Sequence, residues 1–262
     1  MNLKSKIRAF PIIKDLLRAK FYYQAGKSFF EDSEYQRTNK LIDKELSKEP
    51  SRTEIINYIL SQFSRDTNYL EIGVRYPSEN FDKIKATRKV SVDPGVEYDL
   101  NPVDYKLTSD EFFEKLNNKT ILQPSFKFDV IFIDGLHLAD QVDRDIKNSF
   151  DHLSQDGFIV LHDCNPPTEW HARYDYSFRK TPAEKYWNGT TWKAFLKWRK
   201  EKAVFSCCVD SDWGVGVISK YHQIGDALDK PEEFYEFNNL MNDRQSMLNL
   251  VSFDQFIDML NK

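Results

Sequence analysis

Four short apolar segments of this chain each end in residues that could do chemistry. In the segment FDVIFIDGLH (128–137), an apolar run stops at Asp134, and His137 follows three positions later. The other three segments end in acids, a glycine or a histidine: Glu71 with Gly73, Asp93, and His162 with Asp163. Carboxylates can hold a divalent cation, and an imidazole can take a proton near neutral pH. We therefore expect the chemistry of the protein at the ends of these segments.

The four segments have the pattern of strands and alternate with helical patterns. Apolar residues at helical spacing occur in SRTEIINYILSQF (51–63) and LADQVDRDIKNSFDHL (138–153), and SDEFFEKL (109–116) looks like a helix capped by Ser109 or Asp110. Strands that alternate with helices predict a mostly parallel sheet with helices on both faces. The carboxyl ends of such strands share one edge of the sheet, where ligands bind.

Two further strand candidates, AVFSCCV (203–209) and GVGVISK (214–220), are joined only by DSDW, and a link this short joins antiparallel neighbours. We therefore predict an α/β three-layer sandwich with a Rossmann-like, mostly parallel sheet of about seven strands and a terminal antiparallel hairpin. Charged, helical sequence flanks it. The expected parts are a helical extension (1–50), a cofactor-binding domain (51–221) and a C-terminal helical segment (222–262), in which Phe234 and other apolar residues are available for packing.

The composition limits the class of protein. The 262 residues are 40% hydrophobic and carry a formal net charge of −4, which argues against a protein that mainly holds nucleic acid phosphates. The three cysteines have neither a disulfide nor a zinc spacing. This cysteine pattern favours a reducing compartment, so we expect a cytoplasmic location. The chain has no apolar run of about 18 residues, so we expect no membrane span, and its N-terminus lacks a signal-peptide pattern.

The first twenty residues carry six basic side chains and one acid. They could form a basic amphipathic helix that touches an anionic membrane, or a helix that packs on its own domain or on a partner subunit. If this helix packs on a partner subunit, the protein is a homo-oligomer. The basic residues are Lys4, Lys6, Arg8, Lys14, Arg18 and Lys20.

Gly73 and Asp93 lie twenty positions apart, a spacing that is typical of sites that bind a nucleoside. An acid at the end of the second strand can accept both ribose hydroxyls, and a glycine in the first turn lets a cofactor approach the backbone. Asp93 could instead only form the turn before Pro94 and Gly95, and Glu71 could bind a cationic ligand group or cap a loop. The remaining glycines of the dinucleotide fingerprint are missing, and no phosphate-binding loop is present. A cofactor with a ribose but no phosphate fits better, and S-adenosylmethionine is the common one.

The motif series YLEIGV, VSVDP, TSDEFF, FDVIFIDGLH and GFIVLHDC resembles that of class I S-adenosylmethionine-dependent methyltransferases. It is most similar to the bacterial branch that methylates small molecules and surface-glycan sugars, with similarities to macrocin and catechol O-methyltransferases. The resemblance covers residues 51–221. The hairpin near 204–219 supports it, because the sheet of that family ends in an antiparallel strand, whereas the sheet of dinucleotide oxidoreductases usually continues in parallel.

The resemblance implies six cofactor contacts: Glu71, Gly73, Asp93, Ser109, Asp110 and Asp134. Gly73 is expected against the methionine part and the ribose, and Asp93 on the ribose hydroxyls. Ser109 and Asp110 lie where the family contacts adenine, although they could equally form a plain helix cap. Asp134 is expected where the methionine part and the methyl acceptor meet.

The implied catalytic residues are His137, Asp134 and His162. By its spacing, His137 resembles the base that deprotonates the acceptor hydroxyl in the catechol-type enzymes, although it could instead bond a loop carbonyl. In metal-dependent relatives, acids at the positions of Asp134 and Asp163 hold magnesium. Those relatives usually continue with Asn or Asp, whereas Cys164 follows here and His162 precedes. His162 or Asp163 could therefore act instead as a second base or orient His137.

The aromatic segment after the fourth strand (165–195) could form a lid or an acceptor pocket that stacks on a sugar, or only a packed loop. Its Arg173, Arg179 and Lys180 could meet an anionic acceptor or remain solvated. We therefore predict methyl transfer to a hydroxyl of a sugar or another small molecule. The alternatives are a nicotinamide-dependent oxidoreductase and a non-catalytic binding protein with this fold.

Overall fold

The structure is a computed structural model that describes residues 11–98, 100–123, 125–229 and 235–261. Its centre is a seven-stranded sheet. The strands are β1 (Asn68–Ile72), β2 (Arg88–Val92), β3 (Phe128–Ile133), β4 (Leu153–Leu161), β5 (Phe205–Val209), β6 (Val215–Ser219) and β7 (Leu250–Val251). Their order across the sheet is β2-β1-β3-β4-β6-β5-β7.

The first four strands of the sheet run parallel, and one strand runs against them. β1 pairs in parallel with β2 and β3, and β3 with β4. β6 pairs antiparallel with both β4 and β5, while β7 pairs in parallel with β5. The predicted fold, with its late antiparallel hairpin, is confirmed. β7 was not predicted, because two residues are too short to show the alternation of a strand.

Helices cover both faces of the sheet. The α-helices of the described ranges are α1 (Pro11–Phe30), α2 (Ser33–Leu46), α3 (Arg52–Ser61), α4 (Ser109–Asn117), α5 (Ala139–His152), α6 (Thr191–Arg199), α7 (Phe237–Asn242), α8 (Arg244–Leu248) and α9 (Phe253–Leu260). Leu70 and Ile131 pack with α4, α5 and α6 on one face, whereas Tyr69 and Val130 pack with α3 and α9 on the other. Burial on both faces explains why these strands are continuously apolar. α6 is a correction, since its residues were predicted to lie in or just beyond the aromatic lid or loop.

The starts of two helices bring polar residues to the carboxyl edge of the sheet. Ser51 caps α3, and its backbone N–H donates a 2.8 Å hydrogen bond to the carboxylate of Glu54. α4 is capped by Thr108, whose hydroxyl accepts a hydrogen bond from the N–H of Glu111. Ser109 and Asp110 therefore lie in the first turn and are not the cap.

The terminal parts attach to this core differently. α1 is largely exposed, whereas Lys48, just after α2, lies 2.6 Å from both Glu45 and Asp210. α9 buries Phe256 against the sheet. The predicted roles of Lys4, Lys6, Arg8 and Phe234 fall outside the described residues. Within the described ranges, no helix is both long and apolar enough to cross a membrane.

Candidate active site

The carboxyl ends of β1, β2, β3 and β4 surround a cavity of about 650 Å³. Its walls carry residues from all four strand ends and from the aromatic segment: Glu71, Gly73, Asp93, Asp134, His137, His162, Asp163, Tyr176, Lys185 and Trp187. Ser109 also lines it, but Asp110 does not. Asp110 is exposed and instead accepts a 3.2 Å hydrogen bond from Gln141. The structure thus brings together every predicted site residue except Asp110.

The turn after β1 packs directly on the turn after β3. Gly73 has a φ of +93°, and a Cβ added there would lie 2.3 Å from the backbone oxygen of Asp134. The N–H of Asp134 donates a 2.8 Å hydrogen bond to the carbonyl of Ile72, which holds the two turns together. Only a glycine fits this conformation and this contact. A cofactor in the cavity can therefore approach the backbone at Gly73.

Asp93 and Glu71 serve the local structure as well as the cavity wall. Asp93 accepts a 2.6 Å hydrogen bond from the N–H of Gly95, so it does form the turn with Pro94 and Gly95. Glu71 accepts hydrogen bonds from Tyr69 (2.6 Å) and from Asn80 (2.8 Å), and so holds the loop that follows β1. Burial raises the pKa of Glu71 to about 7.

Carboxylates and imidazoles form a compact cluster at the ends of β3 and β4. The His137 ring lies 3.3 Å from Asp134 through Nε2 and 3.0 Å from Asp163 through Nδ1. Nδ1 of His162 lies 3.2 Å from each of these two carboxylates. Burial alone would lower the pKa of His137, but the charges of Asp163 and Asp134 outweigh it and raise the pKa to about 10. At neutral pH His137 therefore holds a proton while these two charges are uncompensated.

Two residues of this cluster were missed in the sequence, Arg52 and Asp212. The backbone N–H of Arg52 donates a 2.7 Å hydrogen bond to Asp212, and its guanidinium lies 3.3 Å from Asp212 and 3.7 Å from Asp134. Asp212 also lies 3.2 Å from Nε2 of His162. Burial would raise the pKa of Asp212, but His162 and Arg52 hold it well below its ordinary value.

A signal for both residues exists in the sequence. α3 precedes β1, so the first turn of α3, with Arg52, faces the carboxyl edge of the sheet. Asp212 lies in the hairpin link DSDW, followed by Trp213 and Gly214, and all three have positive φ angles of 43°, 64° and 89°. Asp tolerates the left-handed region better than most residues, so an acid in such a tight turn was a candidate for the same edge.

The aromatic segment reaches the cluster and fixes two of its residues. Trp187 stacks on His137 with ring centroids 5.1 Å apart, and its carbonyl oxygen lies 3.4 Å from Nδ1 of His137. Asn188 donates a 2.6 Å hydrogen bond to Asp163. A Cβ on Gly189 would lie 2.1 Å from the carbonyl oxygen of His137. The segment is therefore part of the site wall.

The three charged side chains of that segment do not share one role. Arg173 donates hydrogen bonds to three carbonyl groups of the segment itself, at 2.7, 2.8 and 2.9 Å, and so holds its shape. The Arg179 guanidinium lies over the ring of Tyr176 at 4.8 Å. Lys180 is exposed. The cavity wall instead includes Lys185.

The donor set of the cluster fits a divalent cation. Asp134, His162 and Asp163 each offer one ligand atom, and these three atoms lie within 4.8 Å of one another. Two carboxylates and an imidazole are ordinary ligands of such ions. The side chain of Cys164 is buried in the core and does not take part in the cluster.

Comparisons with known proteins give one family match and a set of distantly similar structures. A family model described as a methyltransferase domain matches residues 70–164. No curated protein sequence matches the chain. Among solved structures, the chain is similar to an O-methyltransferase from Bacillus cereus in complex with SAH, at 14% identity over 72% of this chain and 92% of that chain, with a TM-score of 0.40.

Two further structures show a likeness of the same order. One is an SAH-bound methyltransferase from Podospora anserina, with 15% identity, coverage of 76% of this chain and 95% of that chain, and a TM-score of 0.41. The other is MycE of the mycinamycin biosynthetic pathway in complex with Mg, SAH and mycinamycin VI, with 13% identity, 70% and 51% coverage, and a TM-score of 0.41.

The matched residues 70–164 contain the ends of β1 to β4 and the cluster residues Asp134, His137, His162 and Asp163. The match to a methyltransferase domain therefore falls on the part of the chain that carries the site. This match confirms the prediction of a methyltransferase. Gly73 lines the cavity, so a ligand there can reach its backbone.

Proposed function

We propose that the protein transfers the methyl group of S-adenosylmethionine to a hydroxyl oxygen of a small molecule, with a sugar as the favoured acceptor. The observation that carries this proposal is the common cavity: the strand ends that resemble cofactor motifs and the carboxylate–imidazole cluster line the same 650 Å³ space. A cofactor along Gly73, Asp93 and Ser109 would end beside the cluster, where an acceptor hydroxyl could be deprotonated.

The cofactor supplies an activated methyl group on its sulfonium. Gly73 would leave room for the methionine part and the ribose. Asp93 would accept hydrogen bonds from the ribose hydroxyls, and Ser109 would lie near the adenine. Glu71 would hold the loop after β1 in place through its hydrogen bond with Asn80. Positioning of this kind can contribute on the order of 7–11 kcal/mol to an oriented displacement.

His137 is the proposed base, and Asp134 and Asp163 would hold a divalent cation beside it. His137 lies in the cavity wall with its ring orientation set by Trp187 and by both carboxylates. With the charge of these carboxylates compensated by a cation, His137 would no longer be held in its protonated form. It could then take the proton of the acceptor hydroxyl as the oxygen attacks the methyl carbon.

The acceptor would meet aromatic rings. The ring of Tyr176 lies 5.1 Å from that of Trp187, and both line the cavity next to His137. Sugar rings present C–H faces that pack on such aromatic surfaces, which supports a saccharide or a similarly shaped small molecule. Lys185 would attract an acceptor that carries a negative charge.

The remaining predictions concern the surroundings of the site. We propose that the chain divides at residues 50/51 and 221/222, that it acts in the cytoplasm, and that α1 provides a peripheral contact with anionic membrane or a contact between subunits. α1 carries Lys14, Arg18 and Lys20 beside exposed apolar side chains such as Leu16 and Phe21, which supports either contact. Sedimentation with phosphatidylserine-containing and phosphatidylcholine vesicles, together with the molar mass in solution, distinguishes the two.

The cofactor site is tested by thermal unfolding of the full chain with S-adenosylhomocysteine, with NADH and with neither. A ligand that binds only the folded state adds about 2.7 kcal/mol at a hundredfold excess over its dissociation constant. We expect stabilisation by S-adenosylhomocysteine and none by NADH. Stabilisation by NADH alone would contradict the proposal, and stabilisation by neither would favour a non-catalytic binding protein.

Two variants of one residue separate the turn from the cofactor contact. Asp93→Asn keeps an oxygen for the N–H of Gly95 but loses the charge, whereas Asp93→Ala loses both. We expect both variants to lose most of the stabilisation by S-adenosylhomocysteine, and only Asp93→Ala to lower the unfolding temperature without ligand. Full retention of the ligand effect in both would remove the ribose assignment. Mass spectrometry of sugar and other hydroxyl-bearing acceptors then tests methyl transfer itself.

A further inference from the structure

Asp134, His162 and Asp163 share one arrangement. In each side chain, one polar atom contacts a supporting residue, and another polar atom faces the centre of the cluster. Asp134 has Oδ2 facing Arg52 at 3.7 Å, and Asp163 has Oδ1 bonded to Asn188 at 2.6 Å. His162 has Nε2 facing Asp212 at 3.2 Å. The other oxygens, Oδ1 of Asp134 and Oδ2 of Asp163, each lie 3.2 Å from Nδ1 of His162, and they also lie 3.3 and 3.0 Å from the ring nitrogens of His137.

The centre of the cluster requires a positive charge. Nδ1 of His162 lies 3.2 Å from a carboxylate oxygen of Asp134 and 3.2 Å from one of Asp163. A nitrogen lone pair that faces two carboxylate oxygens is repelled by both, so either a proton on Nδ1 or a shared cation must lie between them. Ligand atoms bound about 2.1 Å from a metal at right angles to one another lie about 3.0 Å apart, close to these two distances.

The contact of His162 with Asp212 is typical of metal-bound histidines. Such histidines usually donate their second ring N–H to a carboxylate, which fixes the tautomer and the orientation of the ring. Asp212 provides this carboxylate, and it is itself oriented by the backbone N–H of Arg52 at 2.7 Å. His162 is 8% exposed and Asp163 is 6% exposed, so neither side chain can turn away into solvent.

An imidazole ligand changes which ions the site prefers. Mg²⁺ takes oxygen ligands and keeps several waters, whereas imidazole nitrogen suits first-row transition metals. We propose that Nδ1 of His162 binds a metal together with Asp134 and Asp163, with Asp212 positioning its ring, so that the site selects a divalent transition-metal ion such as Mn²⁺, Co²⁺ or Zn²⁺ over Mg²⁺. The inference rests on the proposed function, because the ion lies where the acceptor would be deprotonated.

The test measures metal binding and not turnover. The full chain, treated with a chelator and dialysed, is titrated calorimetrically with MgCl₂, MnCl₂ and CoCl₂, and the Mn²⁺-loaded protein is examined by electron spin echo spectroscopy for ¹⁴N modulation from a directly bound imidazole. We expect Co²⁺ to bind on the order of tenfold or more tighter than Mg²⁺. We expect His162→Gln to abolish the ¹⁴N modulation, and Asp212→Asn to weaken Co²⁺ binding by about 10–100-fold while the modulation remains.

His137→Gln is the matched control, because it removes the other imidazole of the cluster and should leave the ¹⁴N modulation in place. Absence of ¹⁴N modulation in the wild type, or its loss in His137→Gln and not in His162→Gln, would overturn the proposal. Equal affinity for Mg²⁺ and Co²⁺ would also overturn it. The site would then either bind metals through oxygen atoms alone or hold a protonated His162 in place of a metal.

Thermal unfolding with S-adenosylhomocysteine, measured on the same samples, keeps the two proposals apart. Stabilisation of both the wild type and His162→Gln shows that the variant is folded and that its loss of ¹⁴N modulation is specific to the metal. A nitrogen-bound Mn²⁺ without any effect of S-adenosylhomocysteine would leave the metal assignment standing and contradict the proposed function alone.

Discussion

Asn188 donates a 2.6 Å hydrogen bond to Oδ1 of Asp163, and this bond joins the aromatic segment to the end of β4. Asp163 has a φ of +60°, a conformation that costs a non-glycine residue on the order of 1–3 kcal/mol. Both residues are buried, at 0% and 6% exposure. The carboxylate of Asp163 therefore keeps its direction because the folded segment holds it.

Replacement of Asn188 by alanine is expected to lower activity more than it lowers cofactor binding. The change leaves a buried carboxylate oxygen without its donor, which costs on the order of 1–3 kcal/mol. We expect a fall in kcat, a lower unfolding temperature and an almost unchanged affinity for S-adenosylhomocysteine. Asn242→Ala, at an exposed position of α7, is the control and should be neutral. Unchanged kcat and stability in Asn188→Ala would contradict the positioning role.

Gly73→Ala is expected to abolish cofactor binding and to destabilise the fold. The added Cβ would lie 2.3 Å from the backbone of Asp134, and the φ of +93° is unfavourable for alanine. The matched control is Gly26→Ala in α1, where no heavy atom lies within 4 Å of the added Cβ and the change should stabilise the helix by about 0.5–1 kcal/mol. Chemical denaturation and binding of S-adenosylhomocysteine measure both effects. Normal ligand binding by Gly73→Ala would mean that the cofactor does not approach this turn.

Trp187 is expected to act on the acceptor and on His137, but not on the cofactor. Trp187→Ala removes the ring that stacks on His137, and stacked aromatic pairs contribute about 0.5–1.5 kcal/mol. We expect kcat/KM for the acceptor to fall on the order of tenfold, while S-adenosylhomocysteine affinity stays within a factor of about two. Trp187→Phe keeps an aromatic face and should recover much of the activity. Equal loss in both variants would show that the 2.7 Å bond from the indole N–H to the Arg173 carbonyl matters more than the stacking.

Asp145 is expected to make stability depend on pH. This carboxyl group is 1% exposed in α5, and burial raises its pKa from 3.8 to about 6. The folded protein therefore binds the proton more tightly than the unfolded chain, so this group lowers the free energy of unfolding as the pH rises from about 4 to 6. Above pH 6 the full cost is present, about 3 kcal/mol.

Asp145→Asn removes this cost, since the amide stays neutral and keeps an oxygen that can accept the hydrogen bond from the side-chain amide of Gln141, which lies 3.0 Å from the carboxylate of Asp145. Urea denaturation should show the variant more stable than the wild type by about 2–3 kcal/mol at pH 8 and nearly equal to it at pH 4. Asp151→Asn, at the exposed end of the same helix, is the control. A difference that does not change with pH would rule out the titration of Asp145 as its cause.

Much of the fold was predictable because its signals are local. The apolar runs at Leu70 and Ile131, the helical spacing of α3 and α5 and the short hairpin link each act within about ten residues of the chain. The strand ends follow directly from these runs, so the sequence alone places Gly73, Asp93 and Asp134 at one edge of the sheet. β7 and α6 were missed because the first is two residues long and the second begins inside an aromatic segment that suited a lid equally well.

The sequence by itself determined which residues end the parallel strands, and therefore where a cofactor of this class would lie. Only the tertiary structure decided how the cluster is held, through contacts of Arg52 with Asp212, of Asp212 with His162, and of Asn188 with Asp163. The partners in these three contacts are separated by 160, 50 and 25 positions. The hydrophobic periodicity of the sequence does not predict such pairs. They form only when helix packing, a left-handed turn and a long loop bring distant residues together. A buried charge is costly without a partner, so these residues pair once they are buried.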